Sequence, residues 1–192
     1  LTHGGEDVVR MLGKQVAALG TVAVEQALAR QTAAGQGLQI DLGVVTGADA
    51  LLVELGVDKD HNTLRTRYLD YNTKDSVAVF MNGGSMRDKD GQIIESLEGT
   101  YESKIKMFTF RNNVNMFTDS IFVKTRSLVY LSDQNLAKFG QDTNAWKDDN
   151  MLSSEAGGYD KGKELFLFTD NVHVMSTDQE GWCDSLYFDR MS

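Results

Sequence analysis

The stretch Tyr101-Glu102-Ser103-Lys104-Ile105-Lys106-Met107-Phe108-Thr109-Phe110 sets a phenylalanine nine residues after a tyrosine. The same interval separates Tyr71 from Phe80, Tyr130 from Phe139 and Tyr159 from Phe168. Tyr71, Tyr101, Tyr130, Tyr159 and Phe188 follow one another in steps of 30, 29, 29 and 29 residues. Other columns keep the same step. Five residues before each aromatic stands a small side chain: Thr66, Ser96, Thr125, Ser154 and Cys183. Seven before stand Leu64, Ile94, Val123 and Leu152, until Gly181 breaks the column. Self-similarity at a fixed period marks an architecture in which stacked units bury one another's apolar faces.

Neighbouring copies also differ while next-nearest copies match. Two residues before the aromatic column the order is Leu69, Gly99, Leu128, Gly157, Leu186; two before the phenylalanine column it is Ala78, Phe108, Ala137, Phe166. The true period is therefore twice the step, and it predicts two environments for successive copies, such as the two walls of a flattened β stack. Strands are expected over Ser76–Met81, Ile105–Phe110, Val114–Phe117, Ile121–Thr125, Glu164–Phe168 and Val172–Met175. Polar turns separate them at Asn72–Asp75, Ser132–Asn135 and Asp160–Lys163. Asp58-Lys59-Asp60 stands before Leu64 as Asp88-Lys89-Asp90 stands before Ile94, so the array is expected to start with a strand near Leu51–Val57. An elongated stack of apolar side chains makes either a filled core or a lipid-sized groove, and the sequence leaves both open.

Upstream, the composition changes. Every aromatic side chain lies between Tyr68 and Phe188, and residues 1–60 contain none. Val9, Leu12, Val16, Leu19 and Ala23 recur at helical spacing after Glu6 and Asp7. This predicts an amphipathic helix over residues 6–34, and two regions: a helical segment 1–49 and a β-repeat domain 50–192.

The remaining chemistry is sparse. The 192 residues carry 19 Lys and Arg against 28 Asp and Glu, a net charge of −9, which argues against a nucleic-acid partner. Proline is absent, although average usage of about 5% predicts roughly ten; uninterrupted hydrogen-bonded ladders suit a chain without it. One cysteine excludes an intramolecular disulfide, and His3, His61 and His173 form no metal motif. No phosphate-binding GxxxxGK[ST] occurs, so no nucleotide is expected. Asp88-Lys89-Asp90-Gly91 begins like a calcium loop, but Gly99 stands where the twelfth-position glutamate would be. Asp184, Ser185 and His173 lack a nucleophile elbow. No cofactor, metal or catalytic residue is expected, and the protein is read as a non-enzyme.

Several words of the array carry a resemblance. They are Asn62-Thr63-Leu64-Arg65-Thr66 with Leu69-Asp70-Tyr71-Asn72, and Met151-Leu152-Ser153-Ser154 with Gly158-Tyr159-Asp160. Two more are Phe168-Thr169-Asp170-Asn171-Val172-His173-Val174 and Cys183-Asp184-Ser185-Leu186-Tyr187-Phe188-Asp189. Over about residues 50–192 the chain resembles the OstA/LptA family of periplasmic lipopolysaccharide-transport proteins, in particular the OstA-like proteins of Bacteroidetes. The resemblance implies a mainly β fold, a β-jelly-roll or β-taco of stacked rungs open along one edge. It implies lipid A acyl chains of lipopolysaccharide in the apolar interior. It also implies end-to-end joining, through terminal strands, with itself or with other Lpt-type β-jelly-roll proteins. The location implied is the periplasm of a Gram-negative bacterium, with the targeting segment outside this chain. The residues expected to line the interior are Phe80, Phe108, Phe110, Phe139, Phe166, Phe168, Ile94, Val114 and Val172. Lys104, Lys106, Lys124 and Arg126 are the expected phosphate contacts at the groove mouth. The competing expectation is a structural or adhesive β-solenoid with a filled core and no lipid.

Overall fold

The computed structural model describes residues 8–12, 41–47, 50–56, 62–72 and 75–189. They form seventeen strands in one antiparallel sheet. These are β1 (Val8–Leu12), β2 (Asp41–Gly47), β3 (Ala50–Gly56), β4 (Thr63–Thr66), β5 (Tyr68–Asn72), β6 (Val77–Phe80), β7 (Gly84–Arg87), β8 (Ile93–Ser96) and β9 (Glu98–Glu102). The chain continues through β10 (Met107–Phe117), β11 (Phe122–Leu131), β12 (Leu136–Phe139), β13 (Thr143–Lys147), β14 (Asn150–Ser154), β15 (Ala156–Asp160), β16 (Leu165–Met175) and β17 (Glu180–Asp189).

From residue 63 onward the chain runs back and forth in passes of 10–12 residues: 63–72, 77–87, 93–102, 107–117, 122–131, 136–147, 150–160, 165–175 and 180–189. Each pass bends once in the middle, so the sheet is folded lengthwise along a crease into two walls. Wall A joins β1, β5, β6, β9, the first half of β10, the second half of β11, β12, β15, the first half of β16 and the end of β17. Wall B joins β2, β3, β4, β7, β8, the other halves of β10 and β11, β13, β14, and the other halves of β16 and β17. Two passes make one 29-residue copy, so every copy contributes to both walls.

The bends have a local cause. At the crease, the small-residue column supplies a hydroxyl that donates to the carbonyl two residues on: Thr66 to Tyr68 (3.1 Å), Ser96 to Glu98 (2.8 Å), Thr125 to Ser127 (3.2 Å) and Ser154 to Ala156 (3.1 Å). The bond closes a short local loop across the bend, a side-chain-to-backbone contact that competes with a straight strand. On the return passes the crease falls two and three residues after each phenylalanine. Asn82, Asn112, Asn113, Asp142, Asp170 and Asn171 there take positive φ, between 53° and 65°, a region that Asn and Asp tolerate. At the free rim of wall A, Ser76, Lys106, Asn135 and Glu164 hold positive φ in successive hairpins. Backbone bonds of 3.0 Å tie one hairpin to the next, from Ser103 to Ser76, Ser132 to Lys106 and Lys161 to Asn135.

Two expectations need correction. Val8–Leu12, inside the predicted helix over 6–34, is a strand; it pairs with β5, Val9 opposite Tyr71 and Met11 opposite Leu69. Apolar Val9 and Leu12 fit a helical face, but Val8-Val9 also favours an extended strand, and the sheet edge offers it a partner. The rest of that predicted helix lies outside the described residues. The alternation between copies also has a different origin from two walls, because the alternating residues all lie on wall A.

Candidate functional site

Four rows of inward side chains run along the stack. The first, on wall A, follows the register Ala78, Tyr101, Phe108, Tyr130, Ala137, Tyr159, Phe166, Phe188, each residue directly opposite the next. The second, nearer the crease, runs Leu69, Phe80, Gly99, Phe110, Leu128, Phe139, Gly157, Phe168, Leu186. On wall B the facing row is Leu64, Met86, Ile94, Met116, Val123, Ala145, Leu152, Val174, Gly181. Beside it, in the crease, sit Thr66, Ser96, Val114, Thr125, Thr143, Ser154 and Val172.

The copy alternation is a packing device within the second row. Phenylalanine occupies every return pass, and the outward passes alternate Leu with Gly. Across Gly99, Phe80 and Phe110 meet with ring centroids 6.0 Å apart; across Gly157, Phe139 and Phe168 meet at 6.1 Å. A Cβ on Gly99 would stand 2.5 Å from Cζ of Phe80, so the rings meet only because glycine leaves the space. Rings also contact along single passes and across the first row: Phe108 to Phe110 at 5.8 Å, Phe166 to Phe168 at 6.0 Å, Tyr101 to Phe108 at 4.3 Å and Tyr159 to Phe166 at 4.1 Å. The phenylalanine pairs fall within the centroid separations of about 4.5–7 Å at which aromatic pairs add to the gain from burial, and the two Tyr–Phe pairs stand closer still.

All nine residues expected to line the interior fall in this one cluster. Phe80, Phe108, Phe110, Phe166, Ile94, Val114 and Val172 are 0% exposed, Phe168 is 3% and Phe139 is 5%. The interior is filled. Two open concavities, of about 420 and 410 Å3, lie along Arg65–Arg67 with Asn82–Ser85 and along Phe117–Phe122 with Trp146, and none of the nine residues borders either. Sequence reasoning missed Met86 and Met116, which are fully buried on wall B. Their signal was a column six residues after each phenylalanine: Met86, Met116, Ala145, Val174. Of the expected phosphate contacts, Lys104 and Lys106 lie in a hairpin at the rim of wall A. Lys124 is exposed on wall B, and Arg126 lies at the crease in an ion pair with Asp142, so neither is at the mouth. His173 pairs with Glu180 at 2.7 Å and stacks on Trp182, while Ser185 lies opposite Thr169.

Opposite the crease, the two free rims meet at the mouth of the fold. Lys161, in the β15–β16 hairpin of wall A, reaches the β7–β8 turn of wall B, with Nζ 2.6 Å from Asp88 Oδ2 and 2.5 Å from Asp90 Oδ2. Asp88 Oδ1 accepts the backbone N–H groups of Asp90 and Gln92, both at 2.9 Å. The hydrogen bond from Lys161 holds the Asp90 carboxyl below its ordinary value of 3.8, helped by the charges of Lys161 and Lys89. Burial alone would lower Lys161, but its bonds to Asp88 and Asp90 outweigh that and hold the ammonium above 10.5. Beside it, Lys163 and Asp160 pair at 2.9 Å on the surface, which raises the lysine and lowers the carboxyl.

A family model described as OstA-like protein matches residues 14–125, more than half of the sequence. The chain belongs to the OstA-like family. The match begins well upstream of residue 50, where the resemblance was expected to start, and the OstA-like chain carries its array beyond the match, through β17. The fold is also that of the crystal structure of LptH from Pseudomonas aeruginosa, described as the LptA-homologous periplasmic component of a conserved lipopolysaccharide transport device. The TM-score is 0.53 at 11% identity, covering 62% of this OstA-like chain and 97% of LptH. No curated protein matches the sequence.

Proposed function

We propose that this OstA-like chain is a non-enzymatic lipopolysaccharide-carrying module of the Gram-negative periplasm. Lipid A acyl chains would lie between the walls, against Phe80, Phe108, Phe110, Phe139, Phe166 and Phe168 on one side and Ile94, Val114 and Val172 on the other. The observation that carries the reading is the continuity of the inward rows: an apolar strip runs unbroken along the stack, parallel to the path an acyl chain would follow. Family membership and the LptH-like fold support it. Because the strip is packed in the free protein, binding requires the walls to part or the rings to turn aside.

The proposal includes end-to-end joining with a second copy or another β-jelly-roll protein. β17 has a hydrogen-bonded neighbour on one side only among the described residues, which leaves a 10-residue edge for strand addition. The repeat domain 50–192, rather than the segment 1–49, is the carrying unit in this reading.

A second reading, a structural β-solenoid without ligand, is favoured by the filled core itself. Photocrosslinking separates them. A crosslinking residue at Phe110 or Phe168 should capture lipopolysaccharide, whereas one on the outward-facing Lys138 should not. Equal, background-level capture at all three positions leaves the solenoid reading.

A further inference from the structure

The mouth of the fold contains two opposed features. Lys161 ties rim to rim across 73 positions of sequence, and its partner Asp88 has a side chain only 3% exposed. Asp88 is in turn fixed by two backbone N–H groups, so the tie is anchored to the turn and not to a mobile side chain. Immediately after this turn, Gln92 is 4% exposed, and neither its amide nitrogen nor its amide oxygen has a hydrogen-bond partner. A buried amide with no partner disfavours the state that buries it, whereas an ion pair held by several hydrogen bonds favours that state. The same turn therefore carries one group that closes the mouth and one that gains by opening it.

We infer that Lys161 with Asp88 and Asp90 is a releasable latch over the apolar interior, and that Gln92 is the counterweight that keeps the open state within reach. The inference rests on the lipid-carrying reading, since the latch regulates access to that interior. The crease cannot serve as the opening, because each pass crosses it covalently. The rims are joined by side chains, so parting them breaks hydrogen bonds and no backbone. Closed, the latch holds the rings of Phe108 and Phe166 dry. When an acyl chain wedges between the walls, Lys161 leaves its carboxylates for water, and Gln92 reaches water as well. Asp90, with a side chain 53% exposed, is the outer half of the latch and the first contact to give way.

Three variants of the full chain test this, read by hydrogen exchange of the β8 and β16 amides and by stopped-flow uptake of fluorophore-labelled lipopolysaccharide. Lys161→Met should raise both exchange and uptake about tenfold, as expected for loss of a charged hydrogen-bonded contact. Asp90→Asn, which leaves the anchored Asp88 in place and keeps the fold intact, should raise both by a smaller factor, about threefold. Gln92→Leu should move both in the opposite direction, below the unmodified protein. Unchanged exchange in Lys161→Met and Asp90→Asn, or faster uptake in Gln92→Leu, overturns the latch. Uptake at one common rate in all four proteins overturns the latch and leaves the carrier reading standing. Exchange that shifts as expected while no protein takes up lipopolysaccharide supports the latch and overturns the carrier reading.

Discussion

Passes 165–175 and 180–189 feed the same four inward rows, yet they differ in environment. Val172 is fully buried, and Cys183, directly opposite it, is exposed; Phe166 is fully buried, and Phe188, its partner in the first row, is only partly covered. Apart from Gly181 the residue types of the last pass match their columns, but no further rung follows β17 among the described residues. Burial in this fold is conferred by the neighbouring rung and not by the residue alone, as expected of a quasi-one-dimensional stack. The difference marks the C-terminal rung as the place where another strand would gain most by docking.

The sharpest way to break this comparison is in the middle of the stack. Phe108→Ala removes a ring in contact with Tyr101, Phe110 and Tyr130, and should destabilise by about 3–5 kcal/mol in denaturant titration. Thr125→Val should cost about 1–3 kcal/mol. It removes the hydroxyl that donates to Ser127 and accepts from Thr143 (3.0 Å), two hydrogen bonds of the buried crease. Phe188→Ala should cost only about 1 kcal/mol in the isolated chain, because its ring is already partly in water. That cost should grow if copies join end to end, so the same titration at rising protein concentration sharpens the contrast. Equal losses at Phe108 and Phe188 in dilute protein would erase the distinction between middle and end.

The smallest effect expected is a pH effect at the mouth. The groups there are Lys161, Asp88, Asp90 and Lys89, with the Lys163–Asp160 pair in the same hairpin. Asp90 is held below 3.8 in the folded state, so its contribution to closure is present above that value and fades as pH falls through the lowered one. Lys161 is held above 10.5, so its contribution is complete below that value and fades as pH rises through the raised one. Binding of an apolar fluorescent dye to the interior should therefore be flat across the neutral range and rise at both extremes. A step near neutral pH would contradict the assignment of closure to this pair.

Much of the stack was legible because a rung repeat writes its register into the sequence. The tyrosine column and the phenylalanine nine residues later became two adjacent inward rows, and the small column became the hydroxyls of the crease. The Leu–Gly alternation was visible but not interpretable from spacing. In an antiparallel stack the neighbour of Phe80 is Gly99 on the intervening pass, and the period alone does not say which pass intervenes. The Asn and Asp positions at the crease also keep step with the repeat, two and three residues after each phenylalanine, but their bend shows only in the backbone. The strand at Val8–Leu12 was illegible for another reason: its partner is the edge of β5, sixty residues away, and local apolar spacing suits a helix as well. Nothing local marks Lys161 as the partner of Asp88, since the rims meet only after both walls have folded. Whether the apolar strip is filled or open depends on the separation of the walls, which no periodicity encodes.

The central claim is that the packed strip between the walls opens to hold an acyl chain. A crystal structure of the full chain with lipopolysaccharide bound tests it most directly. The account predicts acyl density between the Phe108–Phe166 row and the Ile94–Met116 row, with Lys161 drawn away from Asp88 and Asp90. Acyl chains resting on the outside of either wall, over an interior packed as in the free protein, would contradict it.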